Sequence, residues 1–425
     1  MDRPQPLGIL PLPAGWLVLP GQVAADPELR EAREALLAGM LPPSWPAAWR
    51  AIELAAAGDV AAAAAAVDPG SGPEHAYNHF VLTGEPASAA RAEAGAVGDP
   101  GLAALVAVAG YSLGQGPAEG LPDPAGLDGE IAAHVLAAHA AAALEAGDHQ
   151  RALDALVRAE HVAAPVSPVL AALLLGQQVS LLQEVRGADD EVVAGYREAI
   201  TGLDGRDAVR TAAGELTLGL ATAHQELAAA GAGPAALHEA VRAYHLALRS
   251  LRKEGHPERY AFAHSNLALC YLSLPMTEAR DTLRRGVAVQ SLREALTVYT
   301  RETYPREWAS VTLNLANALQ HLPTTHPVEN LVEAVGMYEE LLVARPVDAD
   351  PLGHARVLAN QGTALAHLGI HDQARAKLGA ARELFAGAGD DGAAATVEEA
   401  LAGVVATEQA AAEQAAEQEV VRGTA

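Results

Sequence analysis

Three asparagines, Asn266, Asn314 and Asn360, stand 48 and 46 residues apart, and the residues around them recur with them. Nine residues before each is a proline (Pro257, Pro305, Pro351), and five before each is an alanine (Ala261, Ala309, Ala355). Two after each is a small residue: Ala268, Ala316 and Gly362. A period of this length constrains the fold more than any other feature. Each unit is too small to bury its own apolar face, so successive units must stack. Proline at the head of each unit marks a helix start, because the first turn has no internal partner for its N–H groups. The small residue lets a neighbouring helix approach closely. A second helix in each unit carries its own signature, Glu239-Ala240…Tyr244, Glu294-Ala295…Tyr299 and Glu333-Ala334…Tyr338. The unit is therefore an antiparallel helix pair, with the tyrosines packing between helices.

Composition agrees. Half of the 425 residues are hydrophobic but only 4% are aromatic, the balance of an alanine-rich helical protein rather than a β-sandwich or barrel. No segment reads as a strand. Residues 1–25 form an irregular, proline-rich lead-in. Residues 26–127 form an N-terminal segment of short helices broken by Gly and Pro, opening at Asp26-Pro27-Glu28 and ending in a loop over 114–128. From 128 to 388 the helices lengthen into a repeat array. Its expected helices include 129–146, 149–163, 234–253, 257–274, 287–301, 305–322, 327–343, 351–368 and 371–386. Residues 389–425 form a C-terminal capping helix and tail.

The formal net charge of −25 disfavours phosphate backbones and anionic membrane surfaces as partners. The one cysteine, Cys270, cannot form an internal disulfide and reads as a small core residue. The proline-broken N-terminus does not read as a signal peptide, and Pro165, Pro168 and Gln177-Gln178 interrupt the longest uncharged run. These readings place the chain in the cytoplasm.

A search for chemistry finds no catalytic, metal or cofactor site. Gly387-Ala388-Gly389-Asp390-Asp391-Gly392 matches a dinucleotide-binding string, but it follows a helix and carries two aspartates that repel phosphate. Gly110-Tyr111-Ser112-Leu113-Gly114 matches a nucleophile elbow, but a helix precedes Ser112 where a strand is required. His75 and His79 share a helix face without a third ligand. Asp189-Asp190, Asp348/Asp350 and Asp390-Asp391 stand where helices begin and read as caps.

On these residues the chain resembles the tetratricopeptide repeat family, in a bacterial variant with inserts between helices. The resemblance is clearest in NQGTALAHLGIHDQA, where Gly362 and Ala374 stand twelve residues apart, and in AAALEAGDHQRALDALVRAE. It covers roughly 130–386. It implies an all-α, right-handed α-solenoid of antiparallel helix pairs, with an irregular helical segment ahead of it. It also implies a concave groove lined by the first helix of each pair. Carried onto this sequence, the lining is Phe262, Ser265 and Leu269; Ser310, Leu313, Asn317 and Gln320; Arg356, Thr363 and His367; and, further upstream, Glu215, Leu218, Thr222 and Gln225. With Arg356 the only permanent cation among them, no clamp for a C-terminal carboxylate is expected. The function implied is a non-enzymatic scaffold or adaptor whose partner is another protein or peptide. A regulator that sequesters an enzyme or transcription factor, and an accessory subunit of a larger enzyme complex, are the alternatives. Oligomeric state stays open.

Overall fold

The computed structural model describes residues 16–423, apart from 22, 24, 276–280 and 323–325. Most of the irregular lead-in expected over 1–25, and parts of the inserts after Pro275 and Leu322, lie outside the described residues. Regular structure among the described residues is helical throughout, with nineteen α-helices, a few one-turn helices and no strand. The chain forms two compact units, Met1–Leu251 and Arg252–Ala425.

The first unit opens with six shorter helices: α1 (Pro27–Leu37), α2 (Arg50–Ala56), α3 (Val60–Ala65), α4 (Pro73–Thr83), α5 (Pro86–Gly95) and α6 (Pro100–Ser112). Three helix pairs follow: α7 (Gly129–Glu145) with α8 (His149–Ala163), α9 (Pro168–Arg186) with α10 (Asp190–Leu203), and α11 (Arg210–Leu227) with α12 (Pro234–Ala247). Starts are set by local chemistry. Asp26, Asp99, Asp148 and Asp189 each accept a hydrogen bond from a first-turn N–H, and proline heads α1, α4, α5, α6, α9 and α12. Helix α9 is the one described helix long and apolar enough to cross a membrane. It packs against α8 and α10 instead, with Leu170, Leu174 and Leu181 buried. Ahead of α1, the non-helical residues Leu17, Val18 and Leu19 are buried in one core with Trp49, Tyr77 and Phe80. The aromatic-rich N-terminal region is thus a packed core in its own right. The end of α1 is tied to the corner before α11, where Ala208 donates its N–H to Gly39 O at 3.1 Å and Leu41 donates to Asp207 Oδ1 at 2.9 Å.

The second unit holds three more pairs and a final helix. The pairs are α13 (Pro257–Ser273) with α14 (Asp281–Leu296), α15 (Pro305–Gln320) with α16 (Pro327–Ala344), and α17 (Pro351–His367) with α18 (His371–Gly387). Helix α19 (Asp391–Gly423) follows, tied to α18 by the ion pairs Arg382–Glu398 and Arg375–Glu408.

One spacing runs through the second helix of every pair. Residues at i, i+4 and i+7 are sealed from solvent: Ala152, Leu156 and Ala159; Val192, Tyr196 and Ala199; Ala240, Tyr244 and Ala247; Ala288, Leu292 and Ala295; Ala334, Tyr338 and Leu341; Ala374, Leu378 and Ala381. This is one face of a helix. The first helices answer with small residues seven apart, such as Ala261 and Ala268, Ala309 and Ala316, and Ala355 and Gly362, all buried.

The stripe corrects one expected alignment. Ala295 and Tyr299 were matched with Ala334 and Tyr338, and the helix was expected over 287–301. Helix α14 instead begins at Asp281 and ends at Leu296, so Tyr299 lies beyond it. Ala288 and Leu292 take the places of Ala334 and Tyr338, and Ala295 takes that of Leu341. The slip is seven residues, nearly two full turns, which leaves the same face inward. Periodicity alone could not distinguish the two alignments.

Close approach is sharpest at Gly362. A Cβ there would stand 2.7 Å from Leu378 Cγ and 3.2 Å from the Ala374 carbonyl oxygen. Gly362→Ala should therefore destabilise the fold by about 1–3 kcal/mol in chemical denaturation, despite alanine's better helix propensity. Gly379, in the interior of α18, has open space for 4 Å around the point where a Cβ would stand. Gly379→Ala should shift stability the opposite way, by up to about 1 kcal/mol.

Candidate partner-binding face

The expected lining residues of the second unit lie on the first helices of its pairs, and none is buried. Phe262, Ser310, Arg356 and His367 are exposed; Ser265, Leu269, Leu313, Asn317, Gln320 and Thr363 are partly exposed. Phe262 is 38% exposed, high for a phenylalanine within a helix, whereas its neighbours Ala261 and Ala263 are sealed. The signature residues Pro257, Pro305 and Pro351 head their helices. Ala268, Ala316, Ala334, Gly362 and Ala374 face the interior, and Asn266, Asn314 and Asn360 are half-buried beside them.

Part of this face is joined by hydrogen bonds. Tyr338, on α16, donates its hydroxyl to Asn317 Oδ1 at 2.7 Å and lies 3.2 Å from Gln320 Oε1. Asn360 Nδ2, on α17, donates to the same Asn317 Oδ1 at 2.9 Å. Burial pushes the Tyr338 phenol well above its ordinary range, so it remains a donor. Asn317 is thus the junction between α15, α16 and α17. Leu269, Leu313 and Phe262 supply apolar surface, and Ser265 has a shielded hydroxyl without a hydrogen-bond partner among the described residues. Asn266 donates to Phe262 O of its own helix at 3.0 Å.

The first unit repeats the device with different residues. Tyr196 donates to Gln183 Oε1 at 2.8 Å, and Tyr244 donates to Gln225 Oε1 at 2.7 Å. Gln183 reaches across to α11, donating to Glu226 Oε1 at 2.9 Å and to Thr222 Oγ1 at 3.3 Å. The second-helix tyrosines were expected to be packing residues. Tyr244, Tyr299 and Tyr338 are all buried, and Tyr244 and Tyr338, like Tyr196, also hold a carboxamide of the paired helix. Tyr299, beyond the end of α14, holds no carboxamide: its hydroxyl lies 3.4 Å from Glu258 O, and its ring meets Tyr304 edge-on at 5.4 Å.

The motifs that matched catalytic patterns fall at structural positions. Ser112 is the last residue of α6, in a helix end rather than a strand-to-helix turn. The glycine string over 387–392 joins α18 to α19, and Asp390 accepts from Ala393 N at 3.0 Å as a cap. Asp189 and Asp350 cap α10 and α17 in the same way. His79 pairs with Ser88 Oγ at 2.9 Å, and no group of three potential metal ligands occurs among the described residues. Cys270 is buried, and burial pushes its thiol up to about 12, away from thiolate chemistry.

A cluster of titratable groups that sequence reading overlooked lies inside the first unit. Glu130 and His134 are one turn apart on α7 and both buried. Arg33, on α1, stands 4.0 Å from Glu130, and the Trp16 ring stacks on His134 at 4.2 Å. The i, i+4 spacing was legible; its burial was not, because the covering groups come from residues 16 and 33. Glu130 Oε1 and His134 Nε2 have no hydrogen-bond partner among the described residues. Trp16 covers His134 and Arg33 faces Glu130, so both groups are closed off by residues from ahead of α2. Desolvation raises Glu130 to about 7, and the Arg33 charge and the Ser167 hydroxyl oppose this only in part. Desolvation lowers His134 to about 4.

No protein-family model matches the chain, and a search of curated proteins finds no match. Solved structures overlap with it loosely. BtubC (BKLC) from P. vanneervenii is 18% identical, with 60% of this chain and 92% of that one covered, at a TM-score of 0.40. The TPR2AB-domain:pHSP90 complex of yeast Sti1 is 14% identical, covering 64% and 98%, at 0.26. The P58(IPK) TPR domain is 14% identical, covering 84% and 97%, at 0.25. Overlaps this loose carry no weight of their own. The paired helices and their buried stripe define the class: an all-α helical repeat protein with tetratricopeptide-like pairs.

Two measurements check these assignments. A double-mutant cycle on Tyr338→Phe and Asn360→Ala should be non-additive, each single change costing about 0.5–1.5 kcal/mol in chemical denaturation, because both act on Asn317. The Glu130 contribution to stability is full below pH 4.5 and is lost as pH rises towards 7, since its folded value lies above its unfolded one. Glu130→Gln should thus gain stability relative to the parent between pH 5 and pH 8 in thermal melts. The His134 contribution runs the opposite way, present above pH 6.5 and lost towards pH 4.

Proposed function

We propose that this chain is a non-enzymatic interaction scaffold or adaptor. Its partner is another protein, bound through an extended or helical segment laid across the first helices α13, α15 and α17. The observation that carries this reading is the face itself. Exposed Phe262 and partly exposed Leu269 and Leu313 offer apolar contact, while Asn317, Gln320, Asn360 and Thr363 offer hydrogen bonding. Asn317, Gln320 and Asn360 are held in place before any partner arrives, by Tyr338 and by one another, which lowers the ordering cost of binding. Arg356 is the one permanent cation among the proposed lining residues, and the chain as a whole carries −25. A neutral or basic segment suits those surroundings better than an acidic one.

The reading is tested by site-specific photocrosslinking in cells. A crosslinker at position 313 should capture a discrete partner, and one at position 328, exposed on α16, should not. Arg356→Glu with Leu313→Asp should abolish the product while the helical content by circular dichroism stays unchanged. Equal capture from both positions, or capture that survives the double substitution, would overturn the assignment to this face.

A further inference from the structure

Residues 16–21 belong to no helix or strand, yet five of their main-chain groups are met by side chains of the described residues. Asn78, on α4, takes both groups of one residue: Val18 donates its N–H to Asn78 Oδ1 at 2.8 Å, and Asn78 Nδ2 donates to Val18 O at 2.9 Å. A carboxamide can do this only when the N–H and C=O of one residue point the same way, as they do in extended backbone. Tyr77 donates its hydroxyl to Trp16 O at 2.8 Å. Trp49 donates its indole N–H to Pro20 O at 3.0 Å, and Gly21 donates its N–H to Glu74 Oε2 at 3.2 Å. Buried helices and sheets satisfy their own main chain. Here the cleft does it from outside, which is how a receptor holds a peptide.

The side chains complete the picture. Leu17, Val18 and Leu19 are all sealed, so the segment is enclosed on both sides rather than laid on a surface. The Trp16 ring stacks on His134 with an interplanar angle of 23°. The readers come from three places in the first unit: the turn before α2, helix α4 and helix α7. All five hydrogen bonds are to main-chain atoms, three carbonyls that every residue type has and two N–H groups that all but proline have, so they select backbone shape. The enclosed apolar positions select an aromatic residue followed by aliphatic ones.

We propose that the cleft lined by Trp49, Glu74, Tyr77, Asn78 and His134 is a peptide-binding site, and that residues 16–21 occupy it as a tethered ligand. The class of peptide it takes is uncharged and extended, with an aromatic residue, three aliphatic residues and a proline in succession. Covalent attachment through the exposed Ala25 just ahead of α1 keeps the resident segment at high local concentration. A peptide arriving from elsewhere must therefore compete with it.

The full chain tests this once the tether is cut. A protease site inserted between Ala25 and Asp26 allows native cleavage, leaving the N-terminal piece bound without a covalent link. A fluorescent acetylated peptide of sequence Trp-Leu-Val-Leu-Pro-Gly is then added and followed by anisotropy. The nicked chain should keep its helical circular dichroism and take up the peptide saturably. Unlabelled peptide should displace it, and the uncut chain should take up far less. Asn78→Ala in the nicked chain should weaken uptake by roughly tenfold or more, having lost two hydrogen bonds, and Tyr77→Phe by a smaller factor. Three results would each overturn the proposal: loss of the cooperative unfolding transition on cleavage, equal uptake by cut and uncut chains, or equal uptake of a scrambled peptide. The first would show the segment to be core rather than ligand.

Discussion

Everything in the helix pairs depends on how closely two helices can approach. The sealed i, i+4, i+7 stripe of each second helix is made mainly of alanine, with one larger residue at its centre. Small residues on the facing first helix let the backbones draw together until that larger residue fills the gap. Gly362 marks the limit, since the space a methyl group would need is already taken by Leu378. Packing at this density gains dispersion and loses water without aromatic bulk, which explains how a chain with 4% aromatic residues sustains its cores.

The N-terminal part solves the same problem by other means. Its helices are short, and they do not share the stripe. Trp49, Tyr77 and Phe80 fill their core together with Leu17, Val18 and Leu19. Those last residues are contributed by a stretch with no regular structure of its own. Its polar main chain could not be buried without the side chains of Trp49, Glu74, Tyr77 and Asn78, because an unpaired buried amide is costly. The buried Glu130 and His134 sit beneath the same stretch, through Trp16.

Most helices were legible because their boundaries are written in short-range chemistry. Proline heads ten of the nineteen, aspartate caps several others, and glycine ends many. Thus 149–163 was placed to the residue, and the starts at Pro234, Pro257, Pro305, Pro327 and Pro351 were as expected. The ends of α12 and α14 were not, since Leu248–Lys253 and Thr297–Arg301 continue an apolar pattern through turns that no Pro or Gly announces. The lining residues were legible as a face, but not as a network. Nothing local to Asn317 reveals that Tyr338 and Asn360 will share its oxygen. Asn78 gave no signal either, because its partner is sixty residues away and is a backbone group, which leaves no mark on sequence pattern.

The misread alignment of α14 has a physical counterpart in folding. A stripe of small residues repeating every seven positions fits its neighbour nearly as well after a slip of two turns. Alanine faces alone would leave each pair with competing registers. The polar pairs remove that degeneracy, because a hydroxyl that meets a carboxamide in one register meets methyl groups in the next and is left unpaired. Tyr196 with Gln183, Tyr244 with Gln225, and Tyr338 with Asn317 lock three of the six pairs this way. The pairs that carry leucine at that position have another lock. In α7/α8 and α17/α18 it is the tight turn at Gly147 and Gly369, both in the left-handed conformation that glycine favours. In α13/α14 it is the Tyr260 hydroxyl, which donates to Glu294 Oε2 at 2.9 Å. The tyrosine–carboxamide pairs therefore fix the register of the fold, and on α15 the same bonds hold the polar groups of the proposed partner-binding face.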